Sequence, residues 1–263
     1  VSKPMASNTV DKYLTRLGTF LTYTKNHGYV AENYATRIKI KPNKRDDEER
    51  AGFSKQDMKH ILNSEEVLNK LFKHEWQYWV LLFAAYTGLR ANEIGQLYVA
   101  DIYQVDGIGV VDVNAKGPDK TLKTNTHSKR IVPLHPIFTE KGLLEYVACL
   151  KDKGVTRLFP DLKGNTKGYG DTISRAFNGN GNYRGYLRRW GVKGPHDKGT
   201  KVFHSFRHTF ETHLEEQEVH PVHIVRLMGN KTGYESLDRY NKSTLVKRLY
   251  TETIRKIDYS VEG

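Results

Sequence analysis

The stretch His204-Ser205-Phe206-Arg207-His208-Thr209-Phe210 decides how this chain is read. It sets a histidine and an arginine near the start of a helical pattern. Tyr240 follows Arg207 by 33 positions, on a later segment. Upstream, Thr87-Gly88-Leu89-Arg90-Ala91-Asn92-Glu93 places a second arginine just after an apolar helix is broken. Two guanidiniums, an imidazole and a phenol suit attack on a phosphodiester without a metal ion.

The chemistry needs those residue types. A nucleophile must reach phosphorus, the non-bridging oxygens gain charge as it does, and the leaving 5′-oxygen needs a proton. The planar arginine fork donates two parallel hydrogen bonds and keeps its charge. Fixed donors of this kind commonly contribute roughly 3–4 kcal/mol each. A phenol, with a pKa near ~10, needs cations and a histidine acceptor nearby to act as a nucleophile.

Composition agrees with a polyanionic partner. The 263 residues carry 42 Lys and Arg against 30 Asp and Glu, a formal net charge of +12, and the sequence pI is about 9.5. Such a field favours and speeds encounter with nucleic acid, although many basic proteins have no such role. Cys149 is the single cysteine, so no internal disulfide forms, which fits a reducing compartment. No run of eighteen apolar residues exists to span a membrane, and no signal peptide is recognisable. The expected location is the cytoplasm. A chain that starts at Val1 fits a fragment of a longer protein.

Working outward, residues 75–87 are apolar almost all round, which reads as a buried helix ended by Gly88. Arg90 therefore leaves a rigid core element, a good mount for a catalytic group. From Leu97 to Leu134 β-branched residues dominate, and Asp106-Gly107 is a two-residue hairpin signal. A small antiparallel sheet is expected, with Lys123–Arg130 in its second turn or strand. Helical patterns return at about 139–152, 171–178, 205–217, 221–228 and 243–257, with Pro221 in a first turn and Gly229 as a stop. Near the N-terminus, Val10, Tyr13, Leu14, Leu17 and Leu21 make one apolar stripe on a helix over 8–27, too much for a lone helix to bury. The run Lys41–Arg50 reads as an exposed linker, and Ser54 with Asp57 as a helix N-cap pair.

Four blocks in this order carry a resemblance. They are Thr87-Gly-Leu-Arg90-Ala-Asn-Glu93; Lys123-Thr with Arg130-Ile-Val-Pro-Leu134; His204-Ser-Phe-Arg207-His208; and Leu227-Met-Gly229 with Arg239-Tyr240. Together they resemble the tyrosine recombinase (phage integrase) family, from about Thr9 to Tyr250. The resemblance implies a mainly α catalytic domain with a small antiparallel β-sheet over 46–263, the DNA breaking-rejoining fold. It makes residues 1–45 the C-terminal part of a helical core-binding domain with its linker, the two lobes clamping duplex DNA.

The resemblance also implies roles. Arg90 and Arg207 grip the scissile phosphate, supported by Glu93. Lys123 protonates the leaving 5′-oxygen, and His204 takes or shares the tyrosine proton. Tyr240 attacks phosphorus to give a 3′-phosphotyrosyl link, which a free 5′-hydroxyl later reverses, so no cofactor, metal or ATP is expected. Members recombine as homo-tetramers on DNA, which is compatible with a monomer when free. They also work with DNA-bending or directionality accessory proteins. The helix over 243–257 is a candidate for exchange between protomers, or for packing at home.

Some choices stay open at this level. Family members carry histidine or tryptophan where this chain has Asn230, whose amide can donate to a phosphate oxygen but carries no charge. His208, one turn beyond His204, is expected to point elsewhere. Lys120 and Lys129 share the turn with Lys123, and the chain has sixteen tyrosines. Lys41, Lys44, Arg45 and Arg175 are candidate DNA contacts. His204, His208 and His213 have metal-like spacing but no completing ligands, so no metal is expected. A type IB-like topoisomerase and a non-cleaving DNA-binding accessory protein are the alternatives to a recombinase of a mobile element.

Overall fold

The computed structural model describes residues 5, 7–38, 40, 51–123, 128–166, 168–181, 183–193, 195–196, 199–230 and 242–259. The chain divides into two compact units, Val1–Glu49 and Arg50–Gly263.

In the first unit, α1 (Ser7–Asn26) is followed by a 3₁₀ turn, Tyr34–Arg37. Asn33 ties the two by donating to Gly18 O and Thr22 Oγ1, each at 2.8 Å. The expected stripe is only partly covered: Val10, Leu14 and Leu21 are half-buried, while Tyr13 and Leu17 stay exposed. One helix and one short turn do not offer enough apolar surface to do more.

The second unit is built around α4 (Glu75–Thr87), reached through α2 (Lys55–Leu62) and α3 (Glu65–Leu68). Ser54 and Asp57 close a reciprocal capping box at the start of α2, as the sequence pattern predicts. Twelve of the thirteen α4 residues are buried, which explains a helix apolar on every side. After Arg90 come α5 (Ala91–Gly95) and a three-stranded antiparallel sheet in the order β1-β2-β3 (Ile102–Val105, Ile108–Val113, Arg130–Pro133). Asp106 and Gly107 both take positive φ, so β1 and β2 join through the tight turn that their sequence demands. The β2–β3 register pairs Val113 with Arg130 and Val111 with Val132. A long connection carrying Lys120 and Lys123 joins β2 to β3.

The helical pattern over 139–152 is two helices, α6 (Ile137–Glu140) and α7 (Leu143–Asp152), split where Gly142 turns left-handed at φ 84°. Next are α8 (Gly170–Asn178) and α9 (Tyr186–Arg189), then a two-stranded ribbon β4–β5 (Pro195–His196, Gly199–Thr200) that the sequence reading missed. Two-residue strands carry too little pattern to be seen. Then follow α10 (Ser205–Glu216), α11 (Pro221–Met228) and α12 (Lys242–Glu252), the last ending in a 3₁₀ turn at Ile254–Lys256. α10 packs on α4, with Phe206 also against Phe53 at 4.6 Å. α12 lies on β2 and β3 of its own chain, burying Val246 and Leu249 there. No described helix is long and apolar enough to cross a membrane.

Candidate active site

The site begins where α4 stops. Gly88 caps the helix in the left-handed region, at φ 62°. A Cβ there would fall 2.5 Å from the Phe210 ring and 3.1 Å from Met228 Sδ, so only glycine lets α10 and α11 approach. The turn points Gly88 O at Arg207, whose Nη1 donates to it at 2.6 Å. Two residues on, Arg90 is the N-cap of α5. Its backbone N–H donates to Glu93 Oε2 at 2.9 Å and its Nη1 to Glu93 Oε1 at 2.8 Å. One carboxylate thus fixes both the helix start and the arginine side chain.

Glu93 has a second, deeper partner. Arg130, the first residue of β3, donates from Nη2 to Glu93 Oε2 at 2.9 Å, from Nε to Leu227 O at 2.6 Å and from Nη1 to Ser128 O at 2.9 Å. Both side chains are 4% exposed. Burial pushes the Glu93 carboxyl upward, but the charge and hydrogen bonds of Arg130, with those of Arg90, overcome it and hold the group at about 2. Arg130 therefore joins the sheet, α5 and the end of α11. In the sequence Arg130 stands out only within its Arg-Ile-Val-Pro block; its partner lies 37 positions away, beyond any local spacing rule.

Gly229 closes α11 in the left-handed region, at φ 64°, and a Cβ there would sit 2.5 Å from Arg130 Nη1. The glycine lets Arg130 pass and turns the chain so that Asn230 meets both guanidiniums. Asn230 Oδ1 accepts from Arg90 Nη2 at 3.1 Å and from Arg207 Nη2 at 3.5 Å. Its oxygen faces the arginines, because two forks converge on that point and only an acceptor fits between them.

Arg207 is 5% exposed. Burial, then the charges of Arg90 and Arg130, push its guanidinium down to about 9, which leaves it cationic at neutral pH. Three guanidiniums crowd around one carboxylate, with Glu211 contributing less. The surplus of positive charge at the mouth is what an anion would relieve.

The other expected residues fall out as follows. Lys120 is buried, donating to Asp101 Oδ2 at 2.5 Å and Asn114 Oδ1 at 3.1 Å, so it is committed to the fold. Lys123 and Lys129 are exposed. His204 stands at the head of α10, half-buried. His208, one turn beyond, sets its ring edge-on to that of His204 at 5.1 Å, as i, i+4 neighbours on a helix do. His213 instead contacts Lys256 O and the Asp258 N–H, and no metal-like group of three His, Cys, Asp or Glu exists among the described residues. Arg175 is exposed on α8. Lys41, Lys44, Arg45 and Tyr240 lie outside the described residues.

Several tyrosines are unfit as nucleophiles. Tyr146 and Tyr259 donate to Leu158 O and Ala85 O, each at 2.8 Å, and burial pushes both phenols upward. Burial, with Asp258 and Glu140, pushes Tyr86 up to about 12.

The fold sets a pocket of arginines suited to an anion, and comparison with known proteins identifies the class to which it belongs. The model of the phage integrase family matches residues 53–245. The chain belongs to that family, the tyrosine site-specific recombinases. Among solved structures, the integrase from mycobacterium phage Brujita is similar with a TM-score of 0.50 and 19% identity, over 98% of this chain and 74% of that one. A lambda integrase (75–356) dimer bound to a COC′ core site gives 0.56 and 15%, over 90% and 74%. The XerH site-specific recombinase bound to a difH substrate gives 0.53 and 18%, over 94% and 63%. At these identities the likeness concerns the fold. No curated protein matches the chain in sequence.

Proposed function

We propose that this chain recombines DNA at specific sites, integrating or excising a phage or other mobile element through a 3′-phosphotyrosyl intermediate, without metal or ATP. The observation that carries the reading is the meeting of Arg90 and Arg207 on one oxygen, Asn230 Oδ1. That atom stands where a non-bridging phosphate oxygen would be gripped, and the surplus cationic charge would stabilise the transition state.

In this reading Tyr240 Oη attacks phosphorus. It is tied to the pocket by the ten residues that follow Asn230, a reach of up to roughly 35 Å, so the chain length permits the approach. His204 accepts the phenolic proton, with His208 bracing its ring. Lys123 gives a proton to the leaving 5′-oxygen as its bond to phosphorus breaks. The 5′-hydroxyl of a second strand then attacks the phosphotyrosine and frees Tyr240. Duplex DNA is the partner, bound by a homo-tetramer, with accessory proteins setting bend or direction. Lys41, Lys44, Arg45 and Arg175 contact phosphates, and residues 1–45 belong to a core-binding domain.

The test exposes the full chain to a random-sequence library of nicked duplexes, in which a cut strand releases a short fragment and traps the adduct. The proposal expects covalent adducts at DNA 3′ ends whose sequences converge on one site. Relaxation of plasmid without convergence would indicate a topoisomerase. Binding without any adduct would indicate an accessory protein.

A further inference from the structure

The arginines and the lysine come from different parts of the chain, and a polar contact holds those parts together. Gln96, 2% exposed, is the C-cap of α5, six residues after Arg90. Its Oε1 accepts the backbone N–H of Thr121 at 2.9 Å. Asn92, on the same short helix, donates from Nδ2 to Thr121 Oγ1 at 3.3 Å, and its Oδ1 accepts the Tyr169 N–H at 2.8 Å. One residue before Thr121, Lys120 is fixed to Asp101 and Asn114. Lys123 is two residues beyond Thr121, within about 7 Å along the chain.

We propose that Gln96 is a positioning residue for Lys123: by holding Thr121 to the helix that Arg90 begins, it sets the lysine against the phosphate that the arginines grip. This rests on the reading of Lys123 as the general acid given above. Lys120, through Asp101 and Asn114, fixes the connection on its sheet side, and Gln96 ties it to the helix that Arg90 begins. Asn92 steadies the same contact from the side and joins it to the segment before α8. A buried amide oxygen aimed at a main-chain N–H, rather than at a side chain, fixes the backbone whatever the Thr121 side chain does.

The step at stake forms the Tyr240 Oη–phosphorus bond and breaks the phosphorus–5′-oxygen bond, with the Lys123 ammonium proton passing to that oxygen. If the bridging oxygen is replaced by sulfur, the leaving group is a thiolate, and thiols ionise near ~8.5, so no acid is needed. The experiment compares wild type, Gln96→Met, Gln96→Glu and Lys123→Ala on the duplex recovered from the library above, with 5′-bridging oxygen or sulfur. Met keeps the volume and removes the acceptor; Glu keeps the acceptor.

Gln96→Met is expected to cleave the oxygen duplex at least roughly tenfold more slowly and the sulfur duplex within about threefold of wild type, the pattern of a missing general acid. Gln96→Glu is expected to recover most oxygen-duplex cleavage. Equal loss by Gln96→Met on both duplexes, or loss on neither, while Lys123→Ala is rescued by sulfur, overturns the positioning role. Lys123→Ala that sulfur does not rescue overturns instead the general-acid reading beneath it.

Discussion

Replacing Glu93 by glutamine tests the buried frame of the site. The carboxyl is held at about 2, against an ordinary 4.5, by Arg130 and Arg90. At ~1.4 kcal/mol per tenfold, this favours the ionised, paired form by about 3 kcal/mol in the folded chain. Removing one charge of a buried pair costs on the order of 3–5 kcal/mol, since the glutamine amide leaves the buried Arg130 cation without its counter-ion. Glu93→Gln should therefore unfold about 3 kcal/mol more easily at pH 7. With a urea slope of roughly 2–3 kcal/mol per molar, the midpoint drops by about 1 M or more. Fluorescence of Trp76, Trp79 and Trp190, all in the second unit, reports it. The sign with pH is fixed. A depressed carboxylate contributes fully above about 4.5, and its contribution is lost as pH falls through about 2. The gap between wild type and variant should be constant from pH 7 to about 5 and narrow below 4.5. An unchanged midpoint at pH 7, or a gap that widens in acid, would show that the Glu93 carboxylate does not hold Arg130 in the folded chain.

Further outcomes follow from the same geometry. Tyr240→Phe should keep DNA affinity in a gel-shift assay and give no covalent adduct; residual adduct would remove this residue from the chemistry. Arg207→Ala should slow cleavage by roughly 10²–10³-fold. It should also flatten the plot of log affinity against log salt by about 1, because one fewer phosphate is neutralised. An unchanged salt slope would show that Arg207 does not touch the backbone. Gly229→Ala forces a Cβ to 2.5 Å from Arg130 Nη1 at φ 64°, and should cost at least about 1 kcal/mol in urea unfolding. A variant as stable as wild type would mean that the turn is looser than described.

Much of this architecture is legible along the chain because local physics decides it. An apolar run with aromatic residues on every side becomes the central helix α4. Asp106-Gly107 supplies the positive φ that a tight hairpin needs, and Pro221 and Gly229 bound α11 at both ends. The glycine after Thr87 is informative for the same reason: it marks the turn from which Arg90 leaves. The expected break-rejoin fold and its family are found as read. What stays hidden depends on long-range pairing. Arg130 finds Glu93 across 37 positions, Thr121 finds Gln96 across 25, and Asn230 finds Arg90 across 140. No periodicity encodes such partners. His208 is different, since its i, i+4 spacing to His204 was visible and predicts contact on a helix.

Peptide mass spectrometry of the trapped protein–DNA adduct bears most directly on the claim that the arginine pocket presents a phosphate to Tyr240. Digestion of protein and DNA should leave a nucleotide on the peptide containing Tyr240, with the phosphate joined to the 3′ end of the cut strand. A nucleotide on Tyr234 or any other tyrosine, or a 5′ linkage, would contradict it.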